Sequence, residues 1–302
     1  MGNACHTIRY SCKSCQQLSV YITMNNQKMG YLYVATGDKY IKEAIVSVTS
    51  LKKINESAHI TLVTDKNINN SLFDKIIIRP VDIKHYKEGL LYKVRHIYHD
   101  SPYEKTLFVD TDTYFCDDCQ EIFETLDFFD VAVAPDPTDP NKAKSPQTNK
   151  VLAACEVYNT GVILFKKSAN NEFFFQRWLE IYESKIINKT VGKENDQTSF
   201  IEAWLESNCK MYVLSHAWNA RTPFFFTLKD SVKIIHGRHS NHEIIKNELN
   251  KLPGKQHRCW QPIKNRCIKK KQGWEYQFKT TGKKIKDYVL TGLRQKLSQK
   301  WL

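Results

Sequence analysis

The sequence predicts an α/β fold in which a mostly parallel sheet is flanked by helices. Short apolar runs alternate along the chain with longer segments whose apolar residues recur every three or four positions. Strands that alternate with helices in this way form parallel, helix-covered sheets. The 302 residues, 41% of them hydrophobic, are enough to build one large core or two domains.

The first half of the chain shows the clearest succession of elements. Apolar residues at helical spacing predict one helix over residues 40–53 and another over residues 89–99. A turn is expected at residues 36–38. Strands are predicted at residues 31–35, 59–63, 75–78 and 107–109.

The second half contains a long polar segment at residues 135–150, rich in proline and without an apolar period. Loops of this length are usually lids or binding loops. Around this segment we expect strands at residues 130–134, 162–165, 211–214 and 232–235, and helices at residues 173–187 and 197–206.

The net charge of +13 is concentrated at one end of the chain. Residues 251–302 hold 15 lysines and arginines against 2 acidic residues, which leaves 30 of each sign in residues 1–250. We therefore divide the chain into a cysteine-containing N-terminal extension (1–27), a main domain (28–250) and a basic, partly helical tail (251–302). A neutral body with a basic tail indicates one appended basic element.

No apolar run is long enough to cross a membrane and no secretion leader is apparent, so we expect a cytoplasmic protein. In residues 283–302 an apolar stripe is flanked by basic side chains. Such a helix suits the anionic inner face of a membrane, but the same stripe also suits packing on the main domain.

The nine cysteines are scattered, and a disulfide framework is not expected. Cys12 and Cys15, like Cys116 and Cys119, have the spacing of zinc ligands. Nothing in the sequence brings the two pairs together, so reduced thiols are favoured over a shared zinc site.

Two carboxylates, Asp110 and Asp112, follow the apolar run at residues 107–109. Open α/β sheets bind ligands at the carboxyl ends of their strands. Side chains that are two residues apart point to the same side of an extended chain. Neighbouring carboxylates repel unless a proton or cation lies between them. Mg²⁺ or Mn²⁺ shared with substrate phosphates is one interpretation. A turn with solvated aspartates is the other.

Five short motifs occur in a recognisable order: Thr36-Gly-Asp38, Leu107-Phe-Val-Asp-Thr-Asp112, Asn159-Thr-Gly161, Glu194-Asn-Asp-Gln197 and His236-Gly237. Together they resemble the GT-A fold glycosyltransferases, in particular the family-eight group that includes glycogenin and bacterial lipopolysaccharide galactosyltransferases. The resemblance covers roughly residues 30–250 and makes residues 28–250 a GT-A catalytic domain.

The resemblance implies transfer of a sugar from a nucleotide-sugar, a UDP-sugar by analogy, to a glycan or lipid-linked acceptor. It implies that Asp110, Asp112 and His236 hold Mn²⁺ or Mg²⁺ against the donor's diphosphate, and a nitrogen ligand favours Mn²⁺. It also implies donor-binding roles for Thr36, Asp38, Lys93, Thr111, Asn159, Gly161, Gly237 and Arg238. For several of these positions an ordinary turn or a solvated lysine is an equal alternative.

Asp196 and Gln197 match the positions beside the anomeric carbon in that family, which implies a catalytic role and retention of anomeric configuration. An N-terminal helix cap at Asn195 or Asp196 explains the same residues structurally. The motif after His236 departs from the family, because Arg238 and His239 stand where a lysine and a proline are common.

Two other functions fit parts of the sequence. The run from Asp110 to Thr113 also matches the signature of haloacid-dehalogenase-type phosphatases, with Asp110 as nucleophile and Ser215 in their second motif. Those enzymes carry the signature on the first strand, whereas three predicted strands precede it here. A nucleic-acid-binding protein acting through the basic tail is the non-enzymatic alternative, less favoured because the body is neutral.

Overall fold

The computed structural model of the protein describes residues 28–136, 157–190, 196–251 and 257–269. The tail helix expected over residues 283–302, Cys12 and Cys15, and nearly all of the expected lid segment lie outside these ranges. In the part of the chain that is described, no helix combines the length and apolar character that crossing a membrane requires.

The described residues form thirteen strands and five α-helices, numbered here in chain order. The strands are Met29–Ala35 (β1), Ile60–Thr64 (β2), Lys75–Ile78 (β3), Lys105–Val109 (β4), Thr113–Phe115 (β5), Val131–Pro135 (β6), Tyr158–Lys166 (β7), Met211–Val213 (β8), Ala220–Arg221 (β9), Phe226–Leu228 (β10), Ile234–His236 (β11), Arg258–Gln261 (β12) and Arg266–Lys269 (β13). The helices are Gly37–Ile54 (α1), Tyr86–His96 (α2), Ala169–Ile187 (α3), Gln197–Leu205 (α4) and His242–Leu249 (α5). Short 3₁₀ helices span Gln120–Asp127, His216–Trp218 and Pro262–Lys264.

Seven strands form the main sheet, in the order β3-β2-β1-β4-β7-β6-β8. All neighbours in this sheet are parallel except β7, which is antiparallel to both β4 and β6. The expected α/β class, with a mostly parallel mixed sheet flanked by helices, is confirmed. The reversal of β7 brings its first residues to the edge of the sheet at which β4 ends.

Each face of the main sheet carries its own core because side chains alternate along a strand. Leu107 and Val109 of β4 face the core that α1 covers, and Phe108 faces the opposite core, built from residues of α2, α3 and α4. In α3, Phe174, Phe175 and Trp178 pack into that second core. Burial on both faces explains why β4 reads as a continuous apolar run.

Two smaller sheets lie beyond the main one. The first has the order β5-β11-β9 and the second the order β10-β12-β13. A third core lies against them and includes Tyr114, Ile235 and Trp260. Residues 258–269, at the start of the basic tail, therefore form a hairpin that pairs with β10.

Helix boundaries differ from the sequence prediction in two instructive places. Helix α1 begins at Gly37, inside the expected turn, and Thr36 is its N-cap residue. Helix α2 begins at Tyr86 rather than at Gly89. The Glu88 carboxylate accepts hydrogen bonds from the backbone N–H groups of Lys84 and His85, at 2.7 and 3.2 Å, and so stabilises an earlier start.

Candidate active site

Three side chains that are distant in sequence converge at the carboxyl end of β4. The Nε2 atom of His236 lies 3.3 Å from Asp112 Oδ1 and 3.7 Å from Asp110 Oδ2. One ligand atom from each residue lies within 4.8 Å of the other two. Among the described residues this is the one group of histidine, cysteine or acidic side chains arranged to hold a metal ion.

The donor set fits a hard or borderline divalent cation. Two carboxylate oxygens and one imidazole nitrogen suit Mn²⁺, and the carboxylates also suit Mg²⁺. Ligand atoms at about 2.1 Å from one octahedral ion lie about 3 Å apart, close to the separations from His236 to the carboxylates.

Backbone pairing brings His236 to the aspartates. β11 is antiparallel to β5, with His236 opposite Thr113, the residue that follows Asp112. The Gly237 N–H then donates to the Asp112 carbonyl oxygen at 2.9 Å. Gly237 has φ +136, a conformation that favours glycine.

Gly161 supplies the space in which the three side chains meet. Its carbonyl oxygen accepts the Asp110 N–H at 2.7 Å across the β4–β7 pair. A Cβ atom at this position would lie 2.1 Å from His236 Cε1 and 2.7 Å from Asp110 Oδ2. Only glycine allows β7 to pass this close to both side chains.

Asn219 orients the imidazole of His236. The Gly161 N–H donates to Asn159 Oδ1 at 3.1 Å, so this oxygen is an acceptor, and the Asn219 amide N–H donates to it at 2.9 Å. Asn219 therefore turns its own oxygen to His236 Nδ1, at 2.9 Å. The proton then resides on Nδ1, and the lone pair of Nε2 faces the two carboxylates.

The electrostatics of the two aspartates differ. Burial raises the pKa of Asp110 above its usual range, although Lys93 and His236 oppose the shift. Burial also acts to raise the pKa of Asp112, but the neighbouring His236 and the charge of Arg238 outweigh it, and this pKa lies well below its usual range. A cation between the two carboxylates would offset the free-energy cost of keeping the desolvated Asp110 ionised.

Lys93 links the aspartate pair to Asp196. Its buried ammonium lies 2.8 Å from Asp196 Oδ2 and 3.9 Å from Asp110 Oδ1. The Thr160 hydroxyl also donates to Asp196, at 2.9 Å. Burial lowers the pKa of Lys93, but the neighbouring carboxylates outweigh burial and raise it overall, so the ammonium is charged.

Gln197 lies at the start of α4 and points back to the main sheet. Its amide donates to Asp136 Oδ2 at 2.7 Å, and the Asn159 amide donates to the same oxygen at 3.1 Å. Asp196 is the residue before α4, and its carboxylate makes no capping hydrogen bond to the helix. The network thus connects Gln197 through Asn159 and Asn219 to His236.

A cleft of about 270 Å³ opens above these residues. Of the residues expected to bind metal or donor, its lining includes Thr36, Lys93, Asp110, Thr111, Asp112, His236 and Arg238. Asp38 is not among the lining residues; its side chain is 75% exposed and forms an ion pair with Lys66 at 2.6 Å.

Arg238 lies at the rim of this cleft and is fixed on two sides. Its guanidinium donates to both carboxylate oxygens of Glu43, at 2.8 and 2.9 Å, and lies 3.1 Å from Asp112 Oδ2. The Thr111 hydroxyl donates to the same glutamate at 3.2 Å. Glu43 therefore holds Thr111 and Arg238 beside the aspartate pair.

Several residues of this site carry no recognisable sequence signal. Asn219 and Arg221 belong to no motif, and Asp136 lies in the polar segment that the sequence predicts to be a loop. The cleft is also lined by Tyr40 and Tyr86, two aromatic side chains from α1 and α2. Tyr40 lies in a predicted helix, whereas Tyr86 precedes the predicted start of α2 at residue 89, and their common orientation depends on tertiary packing.

Cys116 and Cys119 are buried free thiols. Burial raises the pKa of Cys116 to about 12 and that of Cys119 well above its usual range. Neither belongs to a metal-binding group among the described residues. Thiolates are the zinc-binding form of cysteine, so these high pKa values oppose metal binding by this pair.

Comparison with known proteins identifies similarity at the level of the backbone trace only. No protein-family model matches the chain, and no curated protein matches it. One similar solved structure is the glycosyltransferase GlyE of Streptococcus pneumoniae TIGR4, with 16% identity and a TM-score of 0.48 over 71% of this chain. The matched region spans 55% of GlyE. Another is apo mouse xyloside xylosyltransferase 1, with 15% identity and a TM-score of 0.47 over 70% of this chain and 98% of that one.

Proposed function

We propose that the protein is a metal-dependent glycosyltransferase that moves a sugar from a nucleotide-sugar, a UDP-sugar in the first instance, to a glycan or lipid-linked acceptor. The observation that carries the proposal is the convergence of Asp110, Asp112 and His236 at the floor of a cleft. Cationic side chains line the same cleft, as binding of a diphosphate requires.

In this proposal Asp110, Asp112 and His236 hold Mn²⁺, or Mg²⁺. When bound, such a cation neutralises the charge that develops on the departing nucleoside diphosphate. Arg238, held by Glu43, is oriented for the same diphosphate, and Gly237, whose φ of +136 favours glycine, is proposed to let the backbone approach it closely.

Asp196 and Gln197 are proposed to act on the sugar, with retention of anomeric configuration. The ammonium of Lys93 bridges Asp196 and Asp110, so the proposed sugar-binding and metal-binding groups share one buried ion cluster. Asn159 joins them through its hydrogen bond to the carboxylate that also binds Gln197. Thr36, Asp38, Thr111 and Gly161 complete the proposed set of donor-binding residues.

The test is a thermal-shift and calorimetric screen of nucleotide-sugars with and without Mn²⁺. A ligand at a hundred times its dissociation constant should add about 2.7 kcal/mol to the free energy of unfolding. We expect Mn²⁺-dependent binding of a UDP-sugar and its slow hydrolysis. Hydrolysis of simple phosphoesters without sugar transfer would instead favour the phosphatase mechanism with Asp110 as nucleophile.

Asp110→Ala and Asp112→Ala separate the metal site from the fold. Each variant should lose Mn²⁺ binding and keep a cooperative unfolding transition. Each should also lose transfer, because every loss of about 1.4 kcal/mol of transition-state stabilisation lowers the rate about tenfold. Asp127→Ala is the matched control, since Asp127 is 59% exposed and pairs only with Lys105 among the described ion pairs. Turnover within about threefold of wild type in either site variant contradicts the assignment.

We further propose a cytoplasmic location and contact between the basic tail and an anionic membrane surface. The support is the tail's excess of 13 positive charges over residues 251–302 and its apolar stripe. The full-length protein should sediment with anionic vesicles at low salt and stay in solution with neutral ones. Salt-sensitive binding to DNA or RNA in place of vesicles would assign the tail to nucleic acid.

A further inference from the structure

Arg221 lies directly beside His236. The parallel pairing of β9 with β11 places the two residues opposite each other. The Arg221 Nη1 atom is 3.2 Å from His236 Nε2. Arginine has no acceptor, so this contact is a hydrogen bond from the guanidinium to the Nε2 lone pair.

That lone pair is also the one turned to the carboxylates. The Asn219 oxygen holds the His236 proton on Nδ1, which leaves Nε2 as the single acceptor of the ring. One lone pair binds either an N–H donor or a cation. Arg221 and a metal ion therefore compete for the same atom of His236.

Arg221 differs from the other cationic residues of the cleft in how it is fixed. Lys93 pairs with Asp196 at 2.8 Å, and Arg238 donates to both oxygens of Glu43. No ion pair within the described ranges includes Arg221, and its Nε atom is buried without a hydrogen-bond partner. Among the described residues of the lining, Arg221 is thus a cationic side chain without an ion pair; its guanidinium carbon lies 5.6 Å from the centre of the Phe224 ring.

A guanidinium and a divalent cation repel each other at this distance unless an anion lies between them. The phosphates of a nucleoside diphosphate are such an anion, and guanidinium binds phosphate through paired hydrogen bonds. Arg221 lines the cleft, so it has access to a donor bound there.

We propose that Arg221 is a donor-binding residue released by the metal: the cation displaces its guanidinium from His236 Nε2, and the freed guanidinium binds the donor's diphosphate. This inference rests on the proposed function. Because coupling between two ligands is reciprocal, the metal and the diphosphate bind cooperatively, with Arg221 carrying part of that cooperativity.

The experiment compares Arg221→Met with wild type in the full-length protein, using Mn²⁺ and UDP as probes. Mn²⁺ binding without nucleotide is measured by electron paramagnetic resonance, and UDP binding by calorimetry at saturating Mn²⁺. Loss of a competing charge-assisted hydrogen bond should tighten Mn²⁺ binding about tenfold, and loss of a phosphate contact should weaken UDP binding by a similar factor.

Arg238→Met is the matched control, because it removes the same charge from the same cleft. Arg238 contacts Asp112 Oδ2. A carboxylate that accepts from a guanidinium still has free lone pairs for a cation, whereas the Nε2 atom of His236 has only one lone pair. Removal of Arg238 should therefore tighten Mn²⁺ binding clearly less than Arg221→Met does. If Arg221→Met does not fold, Arg221→Gln serves the same comparison.

Equal tightening of Mn²⁺ binding in the Arg221 and Arg238 variants would show a general charge effect and overturn the inference. Unchanged or weaker Mn²⁺ binding in Arg221→Met overturns it as well, while Mn²⁺-dependent UDP binding by wild type leaves the proposed function standing. If wild type binds neither probe, the proposed function fails and the inference fails with it.

Discussion

Replacing Gly161 with alanine inserts a methyl group between β7 and two ligands of the proposed cation. The new Cβ would lie 2.1 Å from His236 Cε1 and 2.7 Å from Asp110 Oδ2. An ordinary carbon–carbon contact is about 3.5 Å, so the imidazole would have to move by about 1.4 Å or the strands would have to separate. Functional metal ligands keep their distances to within about 0.2 Å.

The expected consequence is loss of metal affinity out of proportion to loss of stability. Overpacking of a buried site lowers the free energy of unfolding by about 1–3 kcal/mol. Disturbing only the partners that orient a metal ligand weakens binding about 10–100-fold, so a direct displacement of His236 should weaken it at least about 100-fold. Isothermal titration with Mn²⁺ and thermal unfolding of the same samples measure the two effects.

Two other glycines supply controls. At Gly30 a Cβ would lie 2.2 Å from the Tyr103 ring, a comparable clash remote from the cation ligands, so Gly30→Ala should lose stability and retain Mn²⁺ binding. At Gly89, in α2, the nearest atom is Thr36 Oγ1 at 4.0 Å, so Gly89→Ala should gain about 0.5–1 kcal/mol of stability. Wild-type Mn²⁺ affinity in a folded Gly161→Ala protein would refute the proposed cation geometry.

Three further predictions concern residues around the site and one surface cluster. Gln197→Ala should lower kcat far more than it weakens donor binding, because its contact is proposed to strengthen in the transition state; steady-state kinetics with unchanged kcat would make Gln197 a binding residue only. Asn219→Leu should weaken Mn²⁺ binding about 10–100-fold, and it should shift the imidazole tautomer seen by ¹⁵N nuclear magnetic resonance; an unchanged tautomer would contradict the orienting role. Burial acts to raise the pKa of Asp100, but hydrogen bonds from Arg79 and His96 outweigh it and lower the pKa. This stabilisation is complete above the unfolded pKa of about 3.9 and is lost as pH falls through the folded pKa. In urea titrations Asp100→Asn should therefore lower the free energy of unfolding by about 1 kcal/mol at pH 7, and by progressively less below a pH of about 4.

The central strands of the main sheet were predictable because they are buried on both faces. The apolar run at residues 107–109 was predicted to be a buried strand, and the two carboxylates after it marked the expected ligand-binding edge. The reversal of β7 was not predictable, since an apolar strand has the same side-chain pattern in both directions. Strands β5 and β9 have three and two residues, too few to show any period.

The candidate site likewise contains residues that the sequence predicts and residues that it does not. Asp110 and Asp112 can be predicted from the charges at a strand end, and His236 can be predicted from its resemblance to a family motif. Asn219 and Arg221 act on His236 through contacts that exist only after β9 and β11 have paired. No local pattern distinguishes a buried asparagine that orients an imidazole from one that ends a short helix.

The β5–β11 ladder has a consequence for how the protein matures. Asp110 and Asp112 leave the ribosome before His236, and this proposed third ligand joins them only when β11 pairs with β5 and places it opposite Thr113. Pairings between distant segments form late in folding because closing the intervening chain is entropically costly. A nascent or truncated chain that ends before β11 would hold two repelling carboxylates without their nitrogen partner. Cation binding at the proposed site would then require a chain that extends through β11, and it would protect such chains selectively against unfolding.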